Sequence, residues 1–278
     1  MHLRHLASHA DYAACVALQR EVWGASFDDC VPASILKVSQ RIGGIAAGAF
    51  DDAGQLLGFV FGMTGVEDGT PVHWSDMLGV RAAARDLGIG RRLKEFQRGE
   101  LLARGVTTMY WTYDPLVARN AHLNFNRLGV EAVEYVRDMY GDPTSDLHRG
   151  VGTDRLVVRW NMAPGAPRPA PLPPPEQLAP TPTITPAAGS VGGAPRPGVE
   201  ARAIAALDGR PPVVRVEVPP DVAAVQDRSL AEAAAWRAWT RPAFTEGLRR
   251  GYRIAGFYRD DASGRCFYVL ALDRSSSQ

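Results

Sequence analysis

The chain has 278 residues, with 31 lysines and arginines against 30 aspartates and glutamates and a formal net charge of +1. That balance argues against a general nucleic-acid or membrane-surface role. Cys15, Cys30 and Cys266 are odd in number and irregularly spaced, so neither a disulfide framework nor a zinc site is expected. The first residues lack the apolar core of a signal peptide and no run reaches membrane-spanning length, so a cytoplasmic protein without a membrane partner is expected. In chain order, His2 to Leu6 reads as a short strand and Ser8 as the cap of a helix reaching Trp23. A loop carrying Phe27, Asp28 and Asp29 leads to a second helix from Pro32 to Arg41. Ile45–Phe50 and Gln55–Gly62 flank the hairpin turn Asp51-Asp52-Ala53-Gly54. Thr64 to Thr70 reads as a turn and Val72 to Val80 as a strand.

The centre of the chain is Arg85-Asp86-Leu87-Gly88-Ile89-Gly90-Arg91-Arg92-Leu93. It joins that strand to a helix in which Leu93, Phe96, Leu101 and Leu102 recur at helical spacing. Glycines let backbone N–H groups approach a ligand closely, and the following helix directs its positive end to the same place, which suits a phosphorylated ligand. A dinucleotide-binding loop would place a third glycine where Leu93 stands, and a P-loop would need Gly-Lys-Ser/Thr. Beyond the helix, Thr107 to Tyr113 is a β run stopped by Asp114-Pro115, a helix from Val117 ends at Leu128-Gly129, and strands Val130–Val136 and Arg155–Trp160 flank a polar loop.

Arg-x-x-Gly-x-Gly between a strand and a helix resembles the pyrophosphate loop of the GNAT acyltransferase family, and the element order β-α-α-β-β-β-α-β-α-β-β is the order of that fold. Asn120-Ala121, Phe125 and Leu128-Gly129 resemble the family's helix beside the pantetheine arm. Trp111-Thr112-Tyr113-Asp114-Pro115-Leu116, Arg119-Asn120-Ala121, Tyr140-Gly141-Asp142 and Thr153-Asp154-Arg155 look like a subgroup of predicted GNAT acyltransferases. The resemblance covers residues 1–162. It implies an α/β protein with the GNAT fold, a mixed, mostly antiparallel sheet with flanking helices. It also implies direct transfer of an acyl group from acetyl-CoA or another acyl-CoA, as co-substrate, to the amine of a small molecule or amino acid, with no metal.

Carried over residue by residue, the resemblance gives the pyrophosphate to Arg85, Leu87, Gly88, Ile89, Gly90 and Arg91. It gives the pantetheine and thioester carbonyl to the backbone of Leu78, Gly79 and Val80, and the pantetheine amides to Asn120 and Asn124. Regular alternation puts Trp74, Asp76, Leu78 and Val80 on one strand face, with His73 and Ser75 on the other. In the family the face shared with the valine before the loop looks into the acceptor cleft, so the resemblance implies Asp76 as the carboxylate placed to act as base. Relatives in the subgroup often carry histidine there. The alternatives for Asp76 are binding the acceptor's ammonium and pairing with an arginine. Trp23, Phe27 and Tyr140 are the expected acceptor-pocket residues. Phe125 stands where the family commonly uses a tyrosine to protonate the leaving thiolate, with Tyr113 and Tyr140 as possible substitutes. Succinyl-CoA is an alternative donor if Arg81 or Arg155 meets an acyl carboxylate. Asn120, Asn124 and Arg127 are expected on one helix face, while His5, His9, His122 and His148 are assigned no role. A non-catalytic acyl-CoA sensor or scaffold is the alternative reading.

Residues 163–204, with Pro173-Pro174-Pro175 and Gly192-Gly193 among them, read as a Pro/Ala/Gly-rich linker. Residues 205–278 read as a small β-α-β-β segment resembling half a GNAT domain: strand Val213–Val218, a helix Ser229–Arg250 kinked at Pro242, and a hairpin across Asp260 to Gly264. Such a piece buries little apolar surface alone, so it is expected to dock on the first domain or on a second copy in a homodimer.

Overall fold

The computed structural model describes residues 1–25, 27–141, 151–186 and 199–273; the motif residue Asp142, His148 and Gly192-Gly193 lie outside the described residues. The contacts divide the chain into two compact units, and the chain passes from one to the other within two strands, after Trp111 and after Val158.

The first unit contains β1 (His2–His5), α1 (His9–Trp23), α2 (Ala33–Arg41), β2 (Ile45–Phe50), β3 (Leu56–Glu67), β4 (Thr70–Val80), α3 (Ile89–Leu102) and the start of β5 (Thr108–Tyr113). The Ser8 hydroxyl accepts from Asp11 N–H, and the Asp11 carboxylate accepts from Ser8 N–H, closing a reciprocal cap on α1. The strand order is β1-β2-β3-β4-β5, antiparallel except for the β4–β5 pair, which is parallel. Cys15, Leu18, Leu36, Phe50, Phe59 and Phe61 form the buried core between α1, α2 and the sheet.

Thr64 to Thr70 is not a loop. β3 and β4 run on to an Asp68-Gly69 turn in which both residues have positive φ (49° and 76°), the two-residue turn whose twist matches a hairpin. The Asp-Gly signal was present, but threonines and glycines around it masked the strands.

The second unit holds the end of β5 and α4 (Ala118–Ala121), which continues as a π-helix over His122–Leu128, then β6 (Glu131–Val136) and most of β7 (Arg155–Asn161). After these come α5 (Pro175–Leu178), β8 (Thr183–Ile184), α6 (Val199–Ala205), β9 (Val213–Val218), α7 (Val222–Arg228), α8 (Leu230–Arg249), β10 (Tyr252–Arg259) and β11 (Cys266–Leu272). The last strands form a sheet of order β10-β11-β9-β8. The sequence read no structure into α5, β8 or α6. Thr183–Ile184 pairs parallel with Arg215–Val216 of β9, and the buried Ile184 gives this proline-bounded pair of residues its anchor. The separate α7 was also missed, although Asp221 caps it by accepting from Ala223 and Ala224 N–H. α8 runs through Pro242 as one element. Among the described residues no helix is long and apolar enough to cross a membrane.

Tyr268 of β11 centres the second unit. Its ring meets Phe125, Phe244 and Phe257 edge-on at 6.0, 5.1 and 5.2 Å, its hydroxyl lies 3.1 Å from that of Tyr113, and it donates to the Pro115 carbonyl at 2.9 Å. Arg237 of α8 bonds the Asp114 carboxylate at 2.6 Å and the Val151 carbonyl at 2.9 Å, and Arg241 bonds Asp154 and Asp138. Burial alone would raise the Asp154 carboxyl, but hydrogen bonds from Arg241 and Tyr135 override it and hold its pKa at about 2. The C-terminal segment thus packs on the residues of the Asp114-Pro115 and Thr153-Asp154-Arg155 motifs. Arg237→Met would leave the Asp114 carboxylate without its closest cation. Stability is expected to fall by roughly 3–5 kcal/mol, seen as a lower urea midpoint, with much of the loss recovered in the Arg237→Met/Asp114→Asn double variant.

Candidate active site

The site is built on one irregularity in β4. β4 pairs with β5 only at Val72↔Thr108, His73↔Met109 and Trp74↔Tyr110. From Met77 to Val80 it pairs with Phe61 to Gly58 of β3, and between Trp74 and Met77 the register shifts. Ser75 and Asp76 together oppose Gly62, a β-bulge that gives the strand one extra residue. A Cβ on Gly62 would lie 2.3 Å from His73 Nε2, 2.5 Å from the Trp74 carbonyl and 2.9 Å from Ser75 Cα, so the bulge closes over this residue only because it is glycine.

The bulge reverses the facing of the side chains. His73 and Ser75 bond α3 residues, whereas Met77, two residues further on, packs in the α1–α2 core. Leu78 lies over Gly90 of α3, and Val80 lies with Ile89 around Gly58. His73 and Ser75 therefore face α3 together with Leu78 and Val80, which regular alternation sets on opposite faces. Asp76, in the bulge, is exposed to solvent and feels the charge of Asp29 in the loop after α1. Surrounding protein raises its carboxyl pKa by desolvation, and the charge of Asp29 adds to the rise. Trp23 and Phe27 stack at 5.6 Å on this side, and a Cβ on Gly79 would touch the Trp23 ring at 3.2 Å. The structure thus brings Gly79, Trp23 and Phe27 together, with Asp76 in the bulge three residues before Gly79.

At the other end of this stretch, Arg81 leads into a short 3₁₀ turn over Ala82–Ala84, after which Asp86 and Gly88 adopt positive φ of 66° and 69°. Gly88 is the N-cap of α3 and no side chain caps it. The first bond of the helix is donated by Arg92 N–H to the Gly88 carbonyl, so the N–H groups of Ile89, Gly90 and Arg91 precede it. Arg85, Leu87, Gly88 and Arg91 are exposed, and nothing lies within 4 Å of a Cβ built on Gly88. Uncapped N–H groups and the helix dipole suit an anion here.

Other expected residues lie elsewhere. Asn120 is half-buried, Asn124 buried and Arg127 exposed, because the π-helical segment breaks the spacing that would align them. Tyr113 is buried, and desolvation pushes its hydroxyl pKa up; that hydroxyl lies 3.1 Å from the Tyr268 hydroxyl, and Phe125 packs on the Tyr268 ring. Tyr140 is exposed and its hydroxyl lies 3.0 Å from Thr112 Oγ1. Neither arginine offered to an acyl carboxylate is disengaged: Arg81 bonds Glu21 and the Leu56 carbonyl, and Arg155 is buried, 4.0 Å from Asp114.

A buried polar row on the α3 side has no counterpart among the residues expected from the sequence. Lys94 Nζ donates to Ser75 Oγ at 2.7 Å, Ser75 donates to Gln97 Oε1 at 2.8 Å, and Gln97 Nε2 lies 2.9 Å from His73 Nε2. His73 Nδ1 lies 3.0 Å from Thr64 Oγ1, which donates to the Gly43 carbonyl at 2.8 Å. With Gln97 donating, His73 carries its proton on Nδ1 and every donor points the same way. The signal in the sequence was two polar residues on an apolar helix face: Lys94 and Gln97 follow Gly90 at steps of four and three, with Leu101 next.

Burial foremost, and next any charge on Lys94, lowers the His73 pKa from 6.5 to about 3. The unfolded chain then binds a proton that the folded chain does not, so stability is expected to fall as pH drops from about 6.5 toward about 3, by roughly 1.4 kcal/mol per pH unit at the steepest. His73→Gln retains a donor and an acceptor without the titration. Urea unfolding across that range should show a shallower slope for it, and an equal slope would contradict the assignment.

No family model matches the chain, and no curated protein matches it. Among solved structures, it is similar to an aminoglycoside 6'-acetyltransferase type Ii, at 20% identity over 59% of this chain and 99% of that one, with a TM-score of 0.47. It is similar to an aminoglycoside 6'-N-acetyltransferase complexed with coenzyme A, at 17% identity over 60% and 100% of the two chains and a TM-score of 0.45. It is also similar to the ribosomal-protein-S18-alanine N-acetyltransferase from Escherichia coli, at 17% identity over 59% and 96% and a TM-score of 0.46.

Proposed function

We propose that this protein is an acyl-CoA-dependent N-acyltransferase that moves an acyl group directly to the amine of a small molecule or amino acid. The observation that carries the reading is the end of β4–β5 pairing at Trp74, followed by a stretch of β4 leading to the uncapped N-terminus of α3. Backbone groups beyond the last pair suit a pantetheine arm and thioester carbonyl at Leu78 to Val80, and the loop from Arg85 to Arg91 suits the pyrophosphate. In this reading the acceptor nitrogen attacks the thioester carbon, the C–S bond breaks and the thiolate departs with CoA. The thiolate is a fair leaving group, since a thiol pKa lies near ~8.5, so Phe125 in place of a tyrosine does not prevent turnover.

Asp76 accepts the proton of the acceptor's ammonium, directly or through water, and its raised pKa makes it a better base than an ordinary carboxylate. Trp23 and Phe27 border the acceptor. The engagement of Arg81 and Arg155 favours an acetyl over a succinyl group. Asn120, Asn124 and Tyr140 remain proposed contacts, and the C-terminal segment is proposed to serve structure rather than chemistry.

The test is release of free CoA from acetyl-CoA with a panel of amines. CoA binding without release would support the sensor reading instead. Asp76→Asn should keep CoA affinity and lower turnover by about two to four orders of magnitude. It should also remove the acidic limb of the kcat/KM profile, where activity rises as Asp76 ionises. Gly88→Val places a branched Cβ in the open space over the loop and should abolish CoA binding in calorimetry. Full affinity in a folded Gly88→Val protein would refute the loop assignment.

A further inference from the structure

Lys94 is almost wholly buried, 4% exposed, and its amine donates to the Ser75 hydroxyl and rests over the face of Trp111, 3.9 Å from the ring centroid. Those two residues have a special place. The last β4–β5 pair is Trp74↔Tyr110, so Ser75 and Trp111 are the next residues on their strands. The lysine amine thus rests at the fork, touching the first residue of each strand beyond the pairing. Hydrogen-bonding groups on a strand edge gain by finding partners, and two adjacent parallel strands would continue their ladder unless something prevented it.

We propose that Lys94 is the wedge that keeps β4 and β5 from pairing past Trp74, and that it thereby positions the β4 backbone from Ser75 to Val80. Three features support this. The amine is anchored, because Ser75 is itself fixed by Gln97 and through it by His73 and Thr64. Ser75 belongs to the bulge, so the anchor acts where β4 changes register. Trp111 is a large ring with another large ring behind it, Trp160, edge-on at 6.2 Å, and so resists displacement. A lysine this deeply buried is unfavourable for folding, and burial lowers its pKa well below the ordinary lysine value. The position tolerates this chemistry although methionine would fill the space more favourably.

The functional meaning of the wedge rests on the acyl-CoA reading; its geometry does not. Lys94→Met keeps the length and the contact with Trp111 but removes the bond to Ser75, and Ser75→Ala removes the same bond from the other side. Hydrogen exchange of the amides from Ser75 to Val80 is measured in all three full-length proteins. Slower exchange there by about tenfold in both variants, as the strands zip further, is expected, and unchanged or faster exchange in either folded variant overturns the wedge. Calorimetry with CoA is run alongside, with about tenfold weaker binding by the variants expected. If the unaltered protein fails to bind CoA, the acyl-CoA reading falls, and the exchange result still decides the wedge. Lys94→Arg, which keeps a donor, should restore part of the unaltered exchange pattern.

Discussion

A strand in the middle of a sheet has hydrogen-bonding groups on both sides, and leaving one side unmatched inside a protein costs free energy for each group. β4 accepts that cost from Ser75 onward, where its described pairing continues on the β3 side alone. Much of the first unit can be read as what makes this arrangement hold. Gly62 gives the bulge room, α3 brings Lys94 and Gln97 against its inner side, and the α1–α2 core takes Met77 on the other. The same stretch ends at the loop where α3 begins with uncapped N–H groups, so one irregular strand joins the two halves of the proposed cofactor site.

The second unit follows a different logic. Its interior is aromatic and centred on Tyr268, and charged pairs at its margin join α8 to Asp114, Asp138 and Asp154 of the same unit. Paired charges of this kind add little net stability but penalise alternatives, because each carboxylate is costly without its arginine. Arg237 and Arg241 of α8 stand four positions apart and so project from one side of that helix, which makes docking a matter of register as well as of apolar contact.

The fold was legible because its signals were local. The Ser8 cap, the Asp51–Gly54 turn and the glycines before α3 each name their structure from a few residues. The element order through Trp160 follows from them and matches the order the resemblance implied. What was not legible depended on partners distant in sequence. Alternation along β4 assumes a regular strand, and the residue that breaks it, Gly62, lies on β3. Thr183–Ile184 is a strand because β9 is beside it, and Arg155 is engaged because the fold buries it near Asp114. Lys94 and Gln97 gain their buried partners only because α3 lies on the sheet, against Ser75 and His73 of β4.

Gly62 carries one more implication. Most core positions can be adjusted in size by steps, since valine, leucine and methionine differ by small volumes and neighbours yield by tenths of an ångström. At Gly62 the smallest step, one methyl carbon, already falls within 3 Å of two backbone atoms of β4, which have nowhere cheap to go. Variation here is all or nothing. If descendants of this sequence come to reshape this stretch of β4, the change will have to enter through the side chains around it, because the residue beneath the bulge offers selection no gradient to climb.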